Sequence, residues 1–417
     1  MRLLFITDHL PYPPTDGWKI RVFAFLRGLA QRHDITLVSF SRPGDDATAV
    51  GRLRELGINV HVIQRDARYS AVKLARGLFG RTAFPILNYY DARMVEVLAG
   101  VTAGQSFDLV QAESLHTAQY CEALSIPVVL DLHNIESLLM KRYARRTSHP
   151  LKRFYAEVTW RKLAAYERRI CRALTHCLTC SDEERVLLQT TCGVEQVSVV
   201  PNGVDADGYR SSVDASLNGS SRLNNPRIVF IGRMDYHANV DAVQWFCRHV
   251  FPRVRRARPD VVLQIVGGHP TGAVRRLASP GAVEVTGFVP DVRPYLAEAS
   301  AVVVPLRIGG GTRLKILEAL AMGKAVISTA LGAEGLEAVG GREVLIANSP
   351  EEFAHQVVAV LSDADLRARL GAAGRRLAVD KYDWKGIVRE LERVYESCLA
   401  PAGMVGEWAP PLTDAIR

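Results

Sequence analysis

The stretch Ala301–Gly335, AVVVPLRIGGGTRLKILEALAMGKAVISTALGAEG, leaves the chain the fewest alternatives. An apolar run from Ala301 to Val304 enters Pro305 and then the glycines Gly309, Gly310 and Gly311. A helix-forming segment follows, with Arg313, Lys315 and Glu318 in what read as exposed first turns, and then a second apolar run from Ala325 to Ser328. This is a strand–loop–helix–strand unit with its glycines where the helix begins. Free N–H groups and the positive end of the helix dipole make such a place a pocket for an anion. Lys315 and Glu318 are three apart, so they share a face. One can neutralise a phosphate while the other accepts hydrogen bonds from sugar hydroxyls. A flexible connection beside an ordinary solvated ion pair is the plainer alternative, but glycines set between two apolar strands favour a ligand site.

The same alternation of apolar runs and helical segments fills the chain twice over, the pattern of parallel sheets covered on both faces. Expected strands in the first half are Leu3–Thr7, Ile35–Phe40, Val60–Ile63, Leu109–Ala112, Val128–Leu132, Cys177–Cys180 and Val197–Val200. In the second half they are Ile228–Ile231, Val262–Val266, Val283–Thr286, Val302–Val304, Val326–Ser328 and Val344–Ile346. At 417 residues the chain divides naturally into two domains. The expected division is residues 1–205, a Ser/Asn/Asp/Gly-rich linker at 206–225, a second domain at 226–383, a helix at 384–400 and a loose tail at 401–417. No apolar run is long enough to span a bilayer, and Met1–Leu10 with the prolines behind it reads as a first strand rather than a signal peptide. Seven cysteines without disulfide spacing point to a reducing, cytoplasmic setting. Cys177 and Cys180 form a CxxC, but no second pair completes a metal site, so both are expected in the core.

Six segments in order then carry a resemblance: Pro11–Gly17 (PYPPTDG), Asp131–Asn134 (DLHN), Pro201–Asp205 (PNGVD), Val229–Arg233 (VFIGR), Gly287–Asp291 (GFVPD) and Pro305–Ser328. Together they resemble retaining glycosyltransferases of family 4, which have the GT-B fold. The likeness runs from about residue 1 to about residue 395. It implies an α/β architecture of two facing Rossmann-like, doubly wound parallel-sheet domains. The first domain would take the acceptor, the second would bind a nucleotide-sugar donor, and the C-terminal helix would cross back to the first. PYPPTDGWKIR and YARRTSHPLKRFYAE also resemble, more weakly, sugar transferases of bacterial exopolysaccharide systems.

Ligands in open parallel sheets bind beyond the carboxyl ends of the strands, where each of these segments falls. A departing nucleoside diphosphate gathers negative charge, so preorganised cations and N–H donors are the main catalytic need. Arg233, after an apolar strand and Gly232, can grip phosphate through two bonds; the alternative is a salt bridge tying the domains together. Lys315, or else Arg313, adds a second charge, and the amides near Gly310, Gly311 and Thr312 add dipoles. By resemblance Glu318 accepts from the donor ribose, the base lies at main-chain groups near Phe288 and Val289, and His133 contacts the donor sugar. Gly17 would let the backbone approach the diphosphate, since a side chain there would collide with it. By resemblance these cations and amides take the place that a metal ion holds elsewhere, and no nucleophile triad stands out, so the expectation is no cofactor and no metal, with the departing phosphate taking the acceptor proton.

The sequence departs from the family pattern twice. The first of the usual two glutamates falls at Gly310, and no lysine occurs in Met234–Asp241 (MDYHANVD). Of two rivals, the loss at Gly310 speaks against a sugar-nucleotide epimerase on the same fold, which needs acid–base carboxylates at the sugar, and permits a catalytically silent partner subunit. Charge is also uneven. Lys141–Arg172 holds eleven cations against Glu157 and Glu167, in a chain whose net charge is +8. Leu151, Phe154, Val158, Tyr166 and Ile170 run through it at helical spacing. Arg65, Arg68, Lys73, Arg76 and Arg81 form a second run opposed by Asp66. A solvated basic face is the plain account. Attraction to an anionic membrane carrying a lipid-linked glycan acceptor is the functional one. Nucleic acid is not expected, since no recognised module accompanies the charge. The expectation is a cytoplasmic, metal-independent hexosyltransferase, peripheral to the membrane, working in cell-surface polysaccharide synthesis.

Overall fold

The computed structural model describes residues 1–42, 46–65, 70–209, 225–309 and 313–400. Among the described residues, thirteen strands, β1 to β13 in chain order, form two wholly parallel sheets. Each expected strand is present, and no end is displaced by more than one residue. The first sheet holds β1 (Arg2–Thr7), β2 (Asp34–Ser41), β3 (Asn59–Gln64), β4 (Leu109–Glu113), β5 (Val128–Leu132), β6 (His176–Thr179) and β7 (Val197–Val199), in the order β3-β2-β1-β4-β5-β6-β7. The second holds β8 (Arg227–Ile231), β9 (Val262–Val266), β10 (Val283–Gly287), β11 (Ala301–Val304), β12 (Val326–Ser328) and β13 (Leu345–Ile346), in the order β10-β9-β8-β11-β12-β13.

The central strands are buried on both faces, which is why they read as continuous apolar runs instead of alternating ones. In each sheet the strand order reverses once: between β1 and β4, and between β8 and β11. Such switch points open a crevice at the carboxyl ends of the strands, because the flanking connections leave toward opposite faces.

Contacts divide the chain into two compact units. One takes residues 1–179, 185–200 and the chain from Val388 on; the other takes 180–184 and 201–387. The Pro201–Asp205 segment, expected to end the first domain, therefore clusters with the second unit. Val204 lies in the second core, and its N–H donates to the Tyr382 carbonyl at 2.8 Å. The expected linker also begins too early. Residues 206–209 form a helical turn, and Tyr209 packs on the same core. Residues 210–224 of that linker, Arg68 and Asp66, and the tail at 401–417 lie outside the described residues.

The C-terminal helix, Trp384–Leu399, passes from one unit to the other along its length. Its Val388 sits against Gly28 of the Gly17–Leu29 helix so closely that a Cβ on Gly28 would stand 2.7 Å from a Val388 methyl. A little further along, Glu392 accepts from both Arg32 (2.6 and 2.9 Å) and His33 (2.8 Å). Among the described residues, no helix is long and apolar enough to cross a membrane. All seven cysteines are free, and Cys177 and Cys180 are fully buried core residues, as expected.

Candidate functional site

In the second unit the predicted residues gather at the β8/β11 switch point. Strand β8 delivers Gly232 and Arg233 at its end, and the connection after β11 leads to the Leu314–Ala321 helix, capped by Arg313. Lys315 and Glu318 stand on the first turns of that helix. They are not exposed, as their spacing suggested, but half-buried. Spacing fixes the face a side chain shares, whereas depth depends on what the chain brings over it. Lys315 Nζ donates to Asn239 Oδ1 at 2.8 Å and lies 4.3 Å from the centre of the Phe230 ring. Glu318 Oε1 accepts from the Tyr209 hydroxyl at 3.0 Å. Gly232 has a φ of 157°, which side chains rarely adopt, and a Cβ there would stand 2.7 Å from Asn239 Nδ2 and 2.8 Å from Lys315 Nζ, so those side-chain ends would have to shift.

Both charges of this pair are held back by burial. Burial, helped by the nearby Arg313 guanidinium, pushes the Lys315 ammonium down to about 7 against the pull of Glu318. Burial pushes the Glu318 carboxyl up to about 7, outweighing the Tyr209 hydrogen bond and the lysine charge. Two groups with opposed formal charge thus approach neutrality together, each leaning on an uncharged partner. A ligand that brings phosphate to one and hydroxyls to the other would restore both charges.

The other predicted residues of this unit are more loosely placed. Arg233 is exposed, and its guanidinium forks onto Asp235 two residues on (2.7 and 3.2 Å). Phe288, just past β10, presents its ring to solvent with 77% exposure, while Val289 packs on the core. Gly310, Gly311 and Thr312 lie outside the described residues. Sequence reasoning missed Asn239, which also donates to the Arg233 carbonyl at 2.9 Å and so joins the two cation-bearing elements. It missed Tyr209 as well. Neither has a local signal, because each is defined by a partner far along the chain.

In the first unit, His133 follows β5 and Gly17 opens its helix, whose N-terminus Asp16 caps by accepting from the Lys19 N–H at 3.1 Å. His133 Nε2 lies 2.9 Å from Glu113 Oε2 and 3.9 Å from Asp131 Oδ2. Asp131 is held by Arg21 through two bonds of 2.8 and 3.0 Å, with both side chains wholly buried. Glu113, Asp131 and His133 converge closely enough to suggest metal ligands. Arg21 donates to both Asp131 oxygens, so the protein itself supplies a cation to this cluster. Glu113 and Arg21 were not predicted; Glu113 lies one residue past the apolar run that marked its strand.

The basic segments also lie in the first unit. In the Pro150–Ala173 helix, Tyr166 and Ile170 are buried, but Leu151 and Phe154 are not, so the expected stripe enters the core only in its second half.

Comparison with known proteins agrees with this architecture. Residues 15–207 match the family model described as Glycosyltransferase Family 4, and residues 225–363 match the one described as Glycosyl transferases group 1. A phosphatidyl-myo-inositol mannosyltransferase of Mycobacterium tuberculosis is 34% identical over 209 residues, 48% of this chain and 53% of that protein. The aligned stretch therefore spans about half the length of that relative. A 44.6 kDa protein of the Klebsiella pneumoniae cps region is 20% identical over 86% of this chain and 90% of its own length. Among solved structures, Anabaena HepE in complex with UDP superposes with a TM-score of 0.67 at 17% identity, over 95% of this chain and 100% of that one. Sucrose-phosphate synthase of Thermosynechococcus elongatus gives 0.69 at 16% identity, over 95% and 99%. Two doubly wound parallel-sheet domains of this kind define a GT-B protein. The chain belongs to the family 4-like glycosyltransferases.

Proposed function

We propose that the protein transfers a sugar, with retention, from a nucleotide-sugar to a glycan or lipid-linked glycan acceptor in the synthesis of a cell-surface polysaccharide. The observation that carries this reading is the Lys315–Glu318 pair at the switch point, charge-starved and three residues apart on one helix face. The donor's terminal phosphate would sit beside Lys315, with Arg233 released from Asp235 to grip it, and the ribose hydroxyls would donate to Glu318. Phe288 and Val289 would flank the base. Negative charge growing on the departing phosphate then meets fixed cations, so no metal is needed for that role. The bond from the anomeric carbon to phosphate breaks as the bond to the acceptor oxygen forms. The acceptor proton passes to the departing phosphate oxygen. The mycobacterial relatives are named as mannosyltransferases, and one Anabaena HepE structure holds UDP with glucose; both names suit a nucleotide-sugar donor.

The test is a panel of labelled UDP-, GDP- and ADP-sugars, read for transfer and hydrolysis with and without chelator, and with the product anomer assigned by NMR. Turnover from one donor that is lost in Lys315→Ala and Glu318→Ala is expected. Unchanged turnover in both variants would remove the site, epimerised donor would point to an isomerase, and no turnover from any donor would point to a silent subunit.

A second reading concerns the surface. Phe79 (85% exposed), Leu151 (74%) and Phe154 (59%) stand in solvent beside the cations Arg76, Lys152 and Arg153. Lys162 ties the two helices concerned, donating to the Gly77 and Leu78 carbonyls at 2.7 Å each. Apolar side chains amid cations suit an anionic bilayer surface, each cation there contributing about 1 kcal/mol. Co-sedimentation with anionic vesicles that fades with salt is expected. Equal binding to neutral vesicles would defeat the electrostatic part.

A further inference from the structure

Strands β1, β4 and β5 place Thr7, Glu113 and Asp131 side by side in register on one face of the first sheet. Two carboxylates so placed and so buried need two positive charges. Arg21 supplies one, through Asp131. The second can come from the His133 imidazole, which touches Glu113, so a protonated His133 leaves the cluster neutral and a neutral one leaves it short of a charge.

Burial and the Asp131 charge push the Glu113 carboxyl toward its protonated form, and against them work His133 and, to a lesser degree, a hydrogen bond from Gln111 that is set from the far end of the chain. Gln111, two residues earlier on β4, donates through its side-chain amide to Glu113 Oε1 at 2.5 Å. A glutamine amide can face either way, presenting a donor or an acceptor. Here the choice is made by Tyr395 of the C-terminal helix, wholly buried, whose hydroxyl donates to Gln111 Oε1. With the amide oxygen occupied, its NH2 must face Glu113. Without that hydroxyl the amide can turn over and offer Glu113 an oxygen, which favours the protonated carboxyl. Glu113 would then lose the charge that supports the imidazolium.

We propose that Tyr395 is a positioning residue that acts through Gln111 and Glu113 to hold His133 in its proton-bearing form. The other groups around His133 are Asp8 after β1, Trp18 and Arg21 on the Gly17–Leu29 helix, Asp131 on β5, and Glu136 at the start of the Glu136–Arg146 helix. Burial alone would lower the His133 proton affinity. The charge of Asp131, followed by the hydrogen bond and charge of Glu113, more than offsets this, so the net direction is upward. Tyr395 reaches Glu113 through a hydrogen-bonded chain by way of Gln111. The proton claim stands on this cluster alone; only its consequence for turnover rests on reading His133 as a contact of the donor sugar.

The experiment is a histidine ¹⁵N NMR titration of the full-length protein without donor, with His133→Gln used to assign the resonance. In the unmodified protein His133 should titrate above the usual histidine range. In Tyr395→Phe, which removes one hydroxyl, its proton affinity should fall by about tenfold or more, roughly one pKa unit. Gln111→Met should give the same fall and replaces the first variant if that one does not fold. Where a donor is turned over, the His133-dependent limb of the kcat profile should move by the same interval, with donor KM little changed. A purely structural role would lower the unfolding temperature and leave the His133 titration in place. An unmoved titration in a folded variant overturns the proposal, whether or not the protein proves to be a transferase.

Discussion

The two units each bury a small group of charges at the carboxyl ends of a parallel sheet, and they treat those charges in opposite ways. In the first unit Arg21, Asp131, Glu113 and His133 satisfy one another, with opposed charges in direct contact. In the second, Lys315 and Glu318 lean on the neutral Asn239 and Tyr209, and burial drives both toward losing their charge. One cluster has its opposed charges in contact within the protein, while in the other burial works against both charges, and on the proposed reading a ligand would restore them. A rigid support and a receptive pocket can therefore be told apart by whether each charge already has its counter-charge.

The largest effect that would break this contrast is on stability. Arg21→Met strands a wholly buried Asp131 carboxylate and should cost about 3–5 kcal/mol in denaturant unfolding. A loss below about 1 kcal/mol would mean that the first cluster is not held by its ion pair. Lys315→Ala should instead leave stability nearly intact and reduce turnover about 100- to 1,000-fold, as expected for one group aimed at developing charge; a matching loss of stability would make it structural. The third effect is on pH. Folded protein keeps the Glu318 proton up to about pH 7, while the unfolded chain gives it up near 4.5. Its contribution to stability is therefore full below 4.5 and declines as pH rises to about 7. Lys315 is the mirror image, losing its proton near 7 when folded and near 10.5 when unfolded, so its contribution recovers as pH rises from 7 toward 10.5. Unfolding at pH 5, 7 and 9 should show the first slope flattened in Glu318→Gln and the second in Lys315→Met. Smallest is Tyr209→Phe, which removes one hydrogen bond to Glu318 and should raise donor Kd by about threefold to tenfold, on the order of 1 kcal/mol.

The strands were legible because a parallel sheet covered on both faces demands unbroken apolar runs, and runs such as Val262–Val266 have no other reading. The helix bearing Lys315 and Glu318 was legible for a similar reason, since a 3.6-residue period sets which side chains share a face. Depth was not legible. Lys315 owes its burial to Phe230 and to Asn239, whose carbonyl oxygen comes from 76 residues away. Tyr209 was hidden in a stretch whose composition suggests a linker, although its first turn folds onto the second core. Glu113 was overlooked because a carboxylate at the end of an apolar run reads as the place where burial stops, whereas here its counter-charges carry burial one residue further.

The C-terminal helix has a consequence for how the molecule is made. Synthesis must pass Ile387 before the last piece of the first unit, beginning at Val388, can leave the exit tunnel. Until then the Gly28 notch lacks its filling methyls, and Gln111 has no hydroxyl to fix its amide. The half of the molecule synthesised first is thus the half finished last, and a nascent chain halted just short of Val388 would release a second unit with all its residues beside a first unit still missing a wall.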